Sequence, residues 1–338
     1  MKADGKRSAS DNLNQDSTPS QPRMAVENSL GPGNAEALVT PEIEPLPSWR
    51  KIGIDANQPI DPEEGRIRVQ VADPDIIAST GTGWVRLNFI LGPWEDPHDD
   101  TLHDGRTWAE TYGQIISGFR DKGLKIYGLI GVEAMPYGPH DRFRESAPHG
   151  DANDDWIELY AQQFVTIVQM FRDDIQIFES FNEPDDWHGA RRNWVHPTWF
   201  AIMLQKIYST VRSRFNLQQA KIVSGPLQGL EGNGNAAVRY LQDTYRAGKA
   251  WFGWGQAGTA FPFDGVGYHL YVKHDFTRNQ AQQDRAIRTA CRQYLDAMHK
   301  VIRREEGEDK PLYVSEMGWT SNVESSLIQQ REKFQANC

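Results

Sequence analysis

Seven short apolar runs alternate with amphipathic runs between residues 49 and 338, and this alternation constrains the fold more than any other feature. The apolar runs are KIGIDA, WVRLNFIL, LKIYGLIGV, IQIFESF, AKIVSGP, DGVGYHLYV and PLYVSEMGW. Short apolar strands that are each followed by a helix indicate a parallel sheet covered by helices. A repeat of roughly forty to fifty residues favours a (β/α)8 TIM barrel over a doubly wound sheet. The first run continues as KIGIDANQPIDPEEG, which lacks the glycine-rich turn of a dinucleotide-binding sheet.

Three of the amphipathic runs have a clear helical period. Asp155 and Glu158 fit a capping box at the start of one helix, and Pro197 suits the first turn of the next. Trp108, Trp156 and Trp199 lie in helical runs and are expected to pack inward. The positions predicted to face the sheet are Leu159, Tyr160, Phe164, Ile167, Val168 and Phe171, then Phe200, Leu204, Ile207, Tyr208, Val211 and Phe215, and finally Ile287, Ala290, Cys291, Tyr294, Leu295, Met298, Val301 and Ile302.

The two ends of the sequence do not follow this pattern. Residues 1–48 are rich in Ser, Asn, Gln, Pro and Gly without periodicity, so we predict a disordered tail before a barrel domain at 49–338. After the seventh run a helix is expected near Leu327, and no eighth strand is recognisable before Cys338. AEALVT in the tail is the one other candidate, but the Pro-rich stretch after it does not suit a crossover helix. The sequence therefore predicts a barrel truncated before strand eight, with only seven strands.

Charge and composition narrow the classes of partner. The 338 residues carry a formal net charge of −10, with Lys and Arg scattered, which opposes nucleic acid and anionic membranes. Two cysteines are too few for a disulfide framework or a cysteine metal site. No signal-peptide core and no run of roughly eighteen apolar residues is visible, so a soluble protein is expected. Its compartment and oligomeric state stay open, and an extracellular location is compatible with an incomplete N-terminus.

Polar residues stand at the ends of several apolar runs, where barrels of this kind build their active sites. The fourth run ends at Asn182 and Glu183, and the seventh contains Glu316. Further candidates in or after these runs are Arg86, Glu133, Trp187, His269, Tyr271 and Trp319. Carboxylates from strands four and seven face each other across a barrel mouth, as glycoside cleavage requires. Arg86 is expected to keep Glu316 ionised, and a less polar setting to keep Glu183 protonated.

Each motif alone has a structural explanation. Asn-Glu-Pro can simply end a strand and start the next element, and Gly318 can turn the chain after SEMGW. His269 and Tyr271 can be ordinary residues of a barrel mouth, and tryptophans in loops also plug barrel tops. The functional interpretation depends on the two glutamates occurring together at the fourth and seventh strands. A metal-dependent hydrolase is disfavoured, because GIDANQ lacks the His-x-His pair expected near the first strand.

The same residues carry a resemblance to a known group of enzymes. IFESFNEP and YVSEMGW resemble the acid/base and nucleophile motifs of the retaining glycoside hydrolases of clan A, such as families 5 and 39. WVRLNF and the His-x-Tyr of GYHLYV extend the resemblance, which covers about residues 50–321. It implies that Glu183 is the general acid/base and Glu316 the nucleophile. It further implies that Asn182 binds the sugar 2-hydroxyl, and that Arg86 and Tyr271 hydrogen-bond the nucleophile.

The remaining candidates are expected to contact substrate. His269 and Glu133 are expected to hydrogen-bond substrate, and Trp94, Trp187 and Trp319 follow strands and suit stacking on sugar faces. The resulting expectation is a retaining O-glycosidase acting on a β-linked oligosaccharide or polysaccharide, with a carbohydrate partner and no metal or other cofactor. The alternative is a truncated, noncatalytic barrel fragment that at most binds carbohydrate.

Overall fold

The computed structural model describes residues 52–99, 105–148, 153–186, 194–228, 235–272 and 278–318. Within these ranges seven strands form one parallel sheet in which each strand pairs with the next one along the chain. The sheet curves into a nearly closed barrel, and the described residues contain no pairing between its first and last strands. The strands are β1 (Gly53–Asp55), β2 (Trp84–Phe89), β3 (Lys125–Ile130), β4 (Ile177–Ser180), β5 (Lys221–Leu227), β6 (Gly265–Tyr271) and β7 (Leu312–Gly318).

Helices connect the strands and cover the outside of the barrel. They are α1 (Val69–Ala72), α2 (Pro74–Ser79), α3 (Trp108–Asp121), α4 (Asp155–Phe171), α5 (Pro197–Arg212), α6 (Asn235–Phe252) and α7 (Gln280–Glu306). This alternation confirms the predicted (β/α) barrel and all seven strands. The predicted tail at residues 1–48 lies outside the described residues. Among the helices of the described ranges, none combines the length and the apolar character needed to cross a bilayer.

The start of α4 corrects one prediction. Its N-cap is Asp154, whose carboxylate accepts a hydrogen bond from the backbone N–H of Ile157, so the predicted capping box of Asp155 and Glu158 is wrong. Asp154 has the extended backbone that an N-cap needs, whereas Asp155 is already helical. Leu159 is 38% exposed and does not face the sheet as predicted. The other five apolar positions predicted for this helix are buried.

The helices α5 and α7 agree with the sequence pattern. Pro197 occupies the first turn of α5, where a missing N–H costs nothing. A capping box between Asn279 and Gln282 begins α7, and Gly307, with a φ of 80°, ends it. Only glycine adopts such a left-handed conformation without strain. All predicted inward positions of both helices are buried or pack against the core.

The barrel divides the core into two parts of different character. Between the strands and the helices lies a large aromatic and aliphatic layer that includes the predicted packing residues Trp108, Trp156 and Trp199. Inside the barrel the apolar cluster is small and consists of Tyr127, Ile177 and Val223, against which Trp84 and Tyr313 pack. The interior also contains the buried charged side chains of Arg86 and Glu179, which need partners because burying an unpaired charge costs several kcal/mol. Both residues lie within their strands, Arg86 in β2 and Glu179 in β4.

Candidate active site

Arg86 on β2 is the centre of a charged network that joins four strands or strand ends. Its side chain is 7% exposed, and Nη1 donates to Oε1 of Glu316 at 2.6 Å and to Oδ2 of Asp55 at 2.9 Å. Nε and Nη2 both donate to Oε2 of Glu179, at 3.0 and 2.8 Å. Nη2 also donates to Oδ1 of Asn182 at 3.0 Å. The guanidinium therefore ties β1, β4 and β7 to β2 through charge-assisted hydrogen bonds.

The electrostatics of Arg86 reflect two opposing effects. Burial on its own lowers the pKa of this guanidinium, but the negative charges of Glu179, Asp55 and Glu316 outweigh burial and raise the pKa above its usual value. Arg86 is therefore a permanent cation at any working pH. Three acidic side chains share this one cation, so the site as a whole is rich in negative charge.

The second oxygen of Glu316 is held by a phenol. The hydroxyl of Tyr271, the last residue of β6, donates to Oε2 of Glu316. Burial, the hydrogen bond and the charge of Glu316 raise the pKa of Tyr271, so the phenol keeps its proton. Arg86 holds one oxygen of this carboxylate and Tyr271 the other, which fixes the plane of the carboxylate.

The segment after β4 turns Glu183 into the site. Phe181 and Glu183 have φ angles of 66° and 47°, in the left-handed region that non-glycine residues rarely adopt. Such conformations cost roughly 1–3 kcal/mol each and occur most often at functional sites. The backbone N–H of Phe181 donates to the Ile130 carbonyl and to the hydroxyl of Tyr160, which secures the start of the turn. Glu183 ends up buried, with 7% exposure.

His269 on β6 lies between the two proposed catalytic carboxylates. Nδ1 is 2.7 Å from Oε1 of Glu183, and Nε2 is 3.5 Å from Oε1 of Glu316. Burial lowers the pKa of this histidine to about 4, although the charge of Glu316 acts in the opposite direction. The ring is therefore neutral near pH 7. One oxygen of each carboxylate and one ring nitrogen all lie within 4.8 Å of one another.

This trio meets the distance requirement for divalent-metal ligands, since carboxylate oxygens and an imidazole nitrogen are common donors. However, Nη1 of Arg86 lies 2.6 Å from the same oxygen of Glu316 that faces His269. A permanent cation in that position repels a second cation. A neutral ligand therefore suits the space between the two carboxylates better than a metal ion does.

The structure brings most of the predicted site residues together. Arg86, Asn182, Glu183, His269, Tyr271 and Glu316 form one set linked by the contacts above. Arg86 lies within β2 and not at its C-terminal end, and its long side chain reaches the other residues. Trp187 and Trp319 lie outside the described residues.

Two other sequence predictions have different outcomes. Glu133 lies in a 3-10 turn after β3, and its Oε2 is buried without a hydrogen-bond partner among the described residues. Its role as a substrate contact stays a prediction. Trp94 is only 2% exposed, so the expectation that it stacks on a sugar is wrong. The chain turns back after β2, where the backbone N–H of Trp94 donates to the Leu91 carbonyl. The indole ring of Trp94 packs into the core.

Sequence reasoning missed four residues of the network: Asp55, Tyr127, Glu179 and Ser315. A signal existed for Glu179, because an acid stands inside the otherwise apolar run IQIFESF, where alternation places it on the same face as Ile177. Tyr127 and Ser315 donate to Oε1 of Glu179, at 2.9 and 2.8 Å. These hydroxyls have no distinguishing sequence pattern, because their role depends on strands that are far apart along the chain.

A cavity of about 540 Å³ lies inside the barrel beneath the network. Early residues of several strands, such as Trp84, Ile177 and Tyr313, line it, together with Asp55 and Arg86. Neither Glu183 nor His269 contributes to its lining. The cavity therefore lies towards the N-terminal ends of the strands and is distinct from the position between the carboxylates of Glu183 and Glu316.

Comparison with known proteins gives structural matches but no match by sequence. No protein-family model and no curated protein sequence matches the chain. A family 39 glycoside hydrolase from the gut symbiont Bacteroides cellulosilyticus WH2 matches with a TM-score of 0.51 and 16% identity, over 84% of this chain and 52% of its own. An exo-beta-1,4-mannosidase from Opitutaceae bacterium strain TAV5 matches with a TM-score of 0.52 and 14% identity, over 84% of this chain and 48% of its own.

The chain thus spans about half the length of each of these two structures. At such identities the likeness concerns the fold, and at that level it confirms the expected resemblance to clan A glycoside hydrolases. The chain has the parallel (β/α) barrel fold of these two enzymes.

Proposed function

We propose that this chain is a glycoside hydrolase that cleaves β-linked O-glycosidic bonds of an oligosaccharide or polysaccharide with retention of configuration. The observation that carries the proposal is the convergence of Glu183 and Glu316 on His269, with one oxygen of each carboxylate within 4.8 Å of the other. Retaining glycosidases hold their two carboxyl groups about 5–5.5 Å apart, whereas inverting enzymes leave about 6.5–9.5 Å for a water molecule. The close approach favours retention.

The proposed reaction has two displacement steps. Glu316 attacks the anomeric carbon as Glu183 gives its proton to the leaving oxygen, so that the glycosidic bond breaks and a glycosyl ester forms on Glu316. Glu183, now a carboxylate, then takes a proton from water, and the resulting hydroxide displaces Glu316 from the sugar. The second step restores the carboxylate of Glu316 and the protonated Glu183.

The surrounding contacts support these roles. Arg86 and Tyr271 each donate to a different oxygen of Glu316, which directs its remaining lone pairs at a sugar between the carboxylates. Asn182 uses its amide oxygen to accept from Arg86, so its amide nitrogen is the group that suits a sugar 2-hydroxyl. Glu133, Trp187 and Trp319 are proposed as further substrate contacts. The carbohydrate class is also consistent with a family 39 glycoside hydrolase and an exo-beta-1,4-mannosidase as structural neighbours.

The proposal is tested with 4-nitrophenyl β-glycosides of glucose, galactose, mannose and xylose. The parent chain is expected to hydrolyse at least one of them. Glu316→Ala should abolish turnover, and Glu183→Ala should retain more activity on 2,4-dinitrophenyl glycosides, which need little acid assistance, than on 4-nitrophenyl glycosides. Glu63→Ala is the control, because Glu63 is an exposed acid outside the site. Turnover that survives Glu316→Ala contradicts the nucleophile assignment. Sugar binding without turnover by the parent favours the noncatalytic alternative.

A further inference from the structure

The proposed mechanism leaves the most deeply buried carboxylate of the site without a role. Glu179, in the middle of β4, has no solvent exposure. Both of its oxygens are fully engaged, since Oε2 accepts from Nε and Nη2 of Arg86, and Oε1 accepts from Tyr127 and Ser315. A carboxylate enclosed in this way does not reach a substrate. Any part it plays in the reaction is transmitted through its partners.

The contact with Arg86 restrains one particular degree of freedom. Two donors of the planar guanidinium, Nε and Nη2, meet the same oxygen of Glu179 at 3.0 and 2.8 Å. Two hydrogen bonds from one rigid plane to one fixed atom prevent rotation of that plane. The third nitrogen, Nη1, is thereby directed at Oε1 of Glu316, 2.6 Å away. The second donor of Nη2 meets Oδ1 of Asn182 at 3.0 Å.

The burial of the three acidic partners indicates which of them anchors Arg86. The side chain of Glu179 is 0% exposed, whereas those of Asp55 and Glu316 are 25% and 24% exposed. An ion pair screened from water holds its geometry more strictly than one that water can reach. Glu179 is therefore the fixed end of the network, and Glu316 is the end that faces the ligand.

The surrounding backbone is also adapted to Glu179. A Cβ on Gly267 of β6 would lie 2.8 Å from Oε1 of Glu179 and 2.6 Å from the Ser224 carbonyl oxygen. Only glycine leaves room for the carboxylate in this position. Strands β2, β3, β6 and β7 thus all contribute to the pocket that holds this side chain.

We propose that Glu179 is a positioning residue, which fixes the plane of the Arg86 guanidinium and through it the orientation of the nucleophile Glu316. This inference rests on the proposed function for its catalytic consequence. The positioning itself is a property of three side chains and is measurable without turnover.

Two variants separate the geometry of Glu179 from its charge. In Glu179→Gln, the amide oxygen can accept from Arg86 while the amide nitrogen donates to the hydroxyls of Tyr127 and Ser315, so the shape and the hydrogen bonds survive. In Glu179→Ala, the anchor is lost. Glu306→Ala is the matched control, because Glu306 is a glutamate with 1% side-chain exposure that pairs with Lys310 on the outer helix α7.

The kinetic experiment measures kcat/KM per folded molecule with 2,4-dinitrophenyl and 4-nitrophenyl β-glycosides that the parent hydrolyses. The kcat/KM of Glu179→Gln should stay within about tenfold of the parent value, because the hydrogen bonds are kept and only the negative charge of the side chain is lost. Glu179→Ala should fall about 100-fold, the cost of a small misplacement of a reacting group. The loss should be equal for both leaving groups, because attack and not protonation is impaired. Glu306→Ala should lose stability but keep the kcat/KM of its folded fraction.

A second measurement tests whether Glu179 orients Arg86, and it does not require the parent to hydrolyse any substrate. In protein labelled with 15N-arginine, the Nε–H of Arg86 should exchange slowly with solvent and keep its signal in Glu316→Ala. In Glu179→Ala it should exchange rapidly, with averaged Nη signals. A parent without turnover and this NMR result together refute the proposed function and leave the positioning in place. An Arg86 signal unchanged in Glu179→Ala, or a loss of activity no greater than in Glu306→Ala, overturns the inference.

Discussion

Nη1 of Arg86 lies 2.6 Å from Oε1 of Glu316, although 230 positions separate the two residues along the chain. The contact exists because the C-terminal ends of parallel barrel strands meet at one end of the molecule. It connects the cation of β2 to the carboxylate of β7. The other oxygen of that carboxylate is held by Tyr271 of β6. In the proposed reaction, a carboxylate held at both oxygens is preorganised for attack, so little reorganisation is needed in the transition state.

Replacement of Arg86 is predicted to affect both stability and activity. Arg86→Met leaves Glu179 buried without its counter-ion, and removing one partner of a buried pair costs about 3–5 kcal/mol of unfolding free energy. Arg86→Lys keeps the charge, but one ammonium group cannot serve the partners that the guanidinium fork reaches. We expect a loss of about 100-fold in kcat/KM for Arg86→Lys.

Urea denaturation and initial-rate kinetics check these two predictions. Arg239→Met is the control, because Arg239 is exposed on α6 and its loss should change neither quantity. A normal unfolding free energy for Arg86→Met would show that Glu179 does not depend on this ion pair.

Protonation of His269 is predicted to make stability depend on pH. Burial lowers its pKa from 6.5 to about 4 in the folded chain, so between these values the unfolded chain binds a proton that the folded chain does not. The stabilising contribution of the neutral imidazole to the unfolding free energy is fully present above pH 6.5 and is lost as the pH falls towards 4. A shift of this size corresponds to roughly 3 kcal/mol.

The pH dependence is checked by urea denaturation at steps between pH 7 and pH 4. His269→Gln should flatten this part of the profile, and His98→Gln, which replaces an exposed histidine, should reproduce the parent. If the profile of His269→Gln keeps the slope of the parent over this range, the neutral buried state of the imidazole is refuted.

Gly267 is predicted to be intolerant of any side chain. A Cβ at this position would lie 2.6 Å from the Ser224 carbonyl oxygen and 2.9 Å from Cα of Pro226, and the backbone of a central strand does not move aside easily. We expect Gly267→Ala to lower the unfolding free energy by roughly 1–3 kcal/mol, the usual cost of overpacking. It should also reduce activity, because Oε1 of Glu179 lies within 2.8 Å of the new atom.

Gly113→Ala provides the matched comparison. Gly113 lies in helix α3, and apart from its chain neighbours and the backbone of its own helix no atom of the described residues lies within 4 Å of the Cβ that alanine would add. Alanine in a helix interior is favoured over glycine by up to about 1 kcal/mol, so this variant should be slightly more stable than the parent. Equal stability of the two alanine variants would contradict the close packing around Gly267.

The barrel and the outer part of its site could be predicted from the sequence for a physical reason. Each strand is short and apolar because helices cover it, and its polar end marks the mouth of the barrel. Asn182 and Glu183 were identified by this position, and Glu316 by the equivalent position in the seventh run. The parallel sheet then brings such strand ends together regardless of the distance between them along the chain.

The inner part of the network could not be predicted in the same way. Asp55 and Glu179 are acids inside apolar runs, and their purpose appears only when Arg86 from another strand is placed beside them. The N-cap of α4 was misplaced by one residue because Asp154 and Asp155 fit the same pattern, and only the backbone conformation separates them. Trp94 follows a strand as a stacking residue would, yet the chain turns back and buries it.

Trapping the glycosyl-enzyme tests the assignment of Glu316 as nucleophile most directly. Incubation with 2,4-dinitrophenyl 2-deoxy-2-fluoro-β-glycosides slows release of the glycosyl group, and mass spectrometry of peptides then locates the ester. The sugar should be the one that the parent hydrolyses fastest among the 4-nitrophenyl glycosides. A single fluoroglycosyl group is expected on Glu316, present in the parent and absent from Glu316→Gln. Attachment to any other residue, or steady turnover of the parent with no attached sugar, would contradict it.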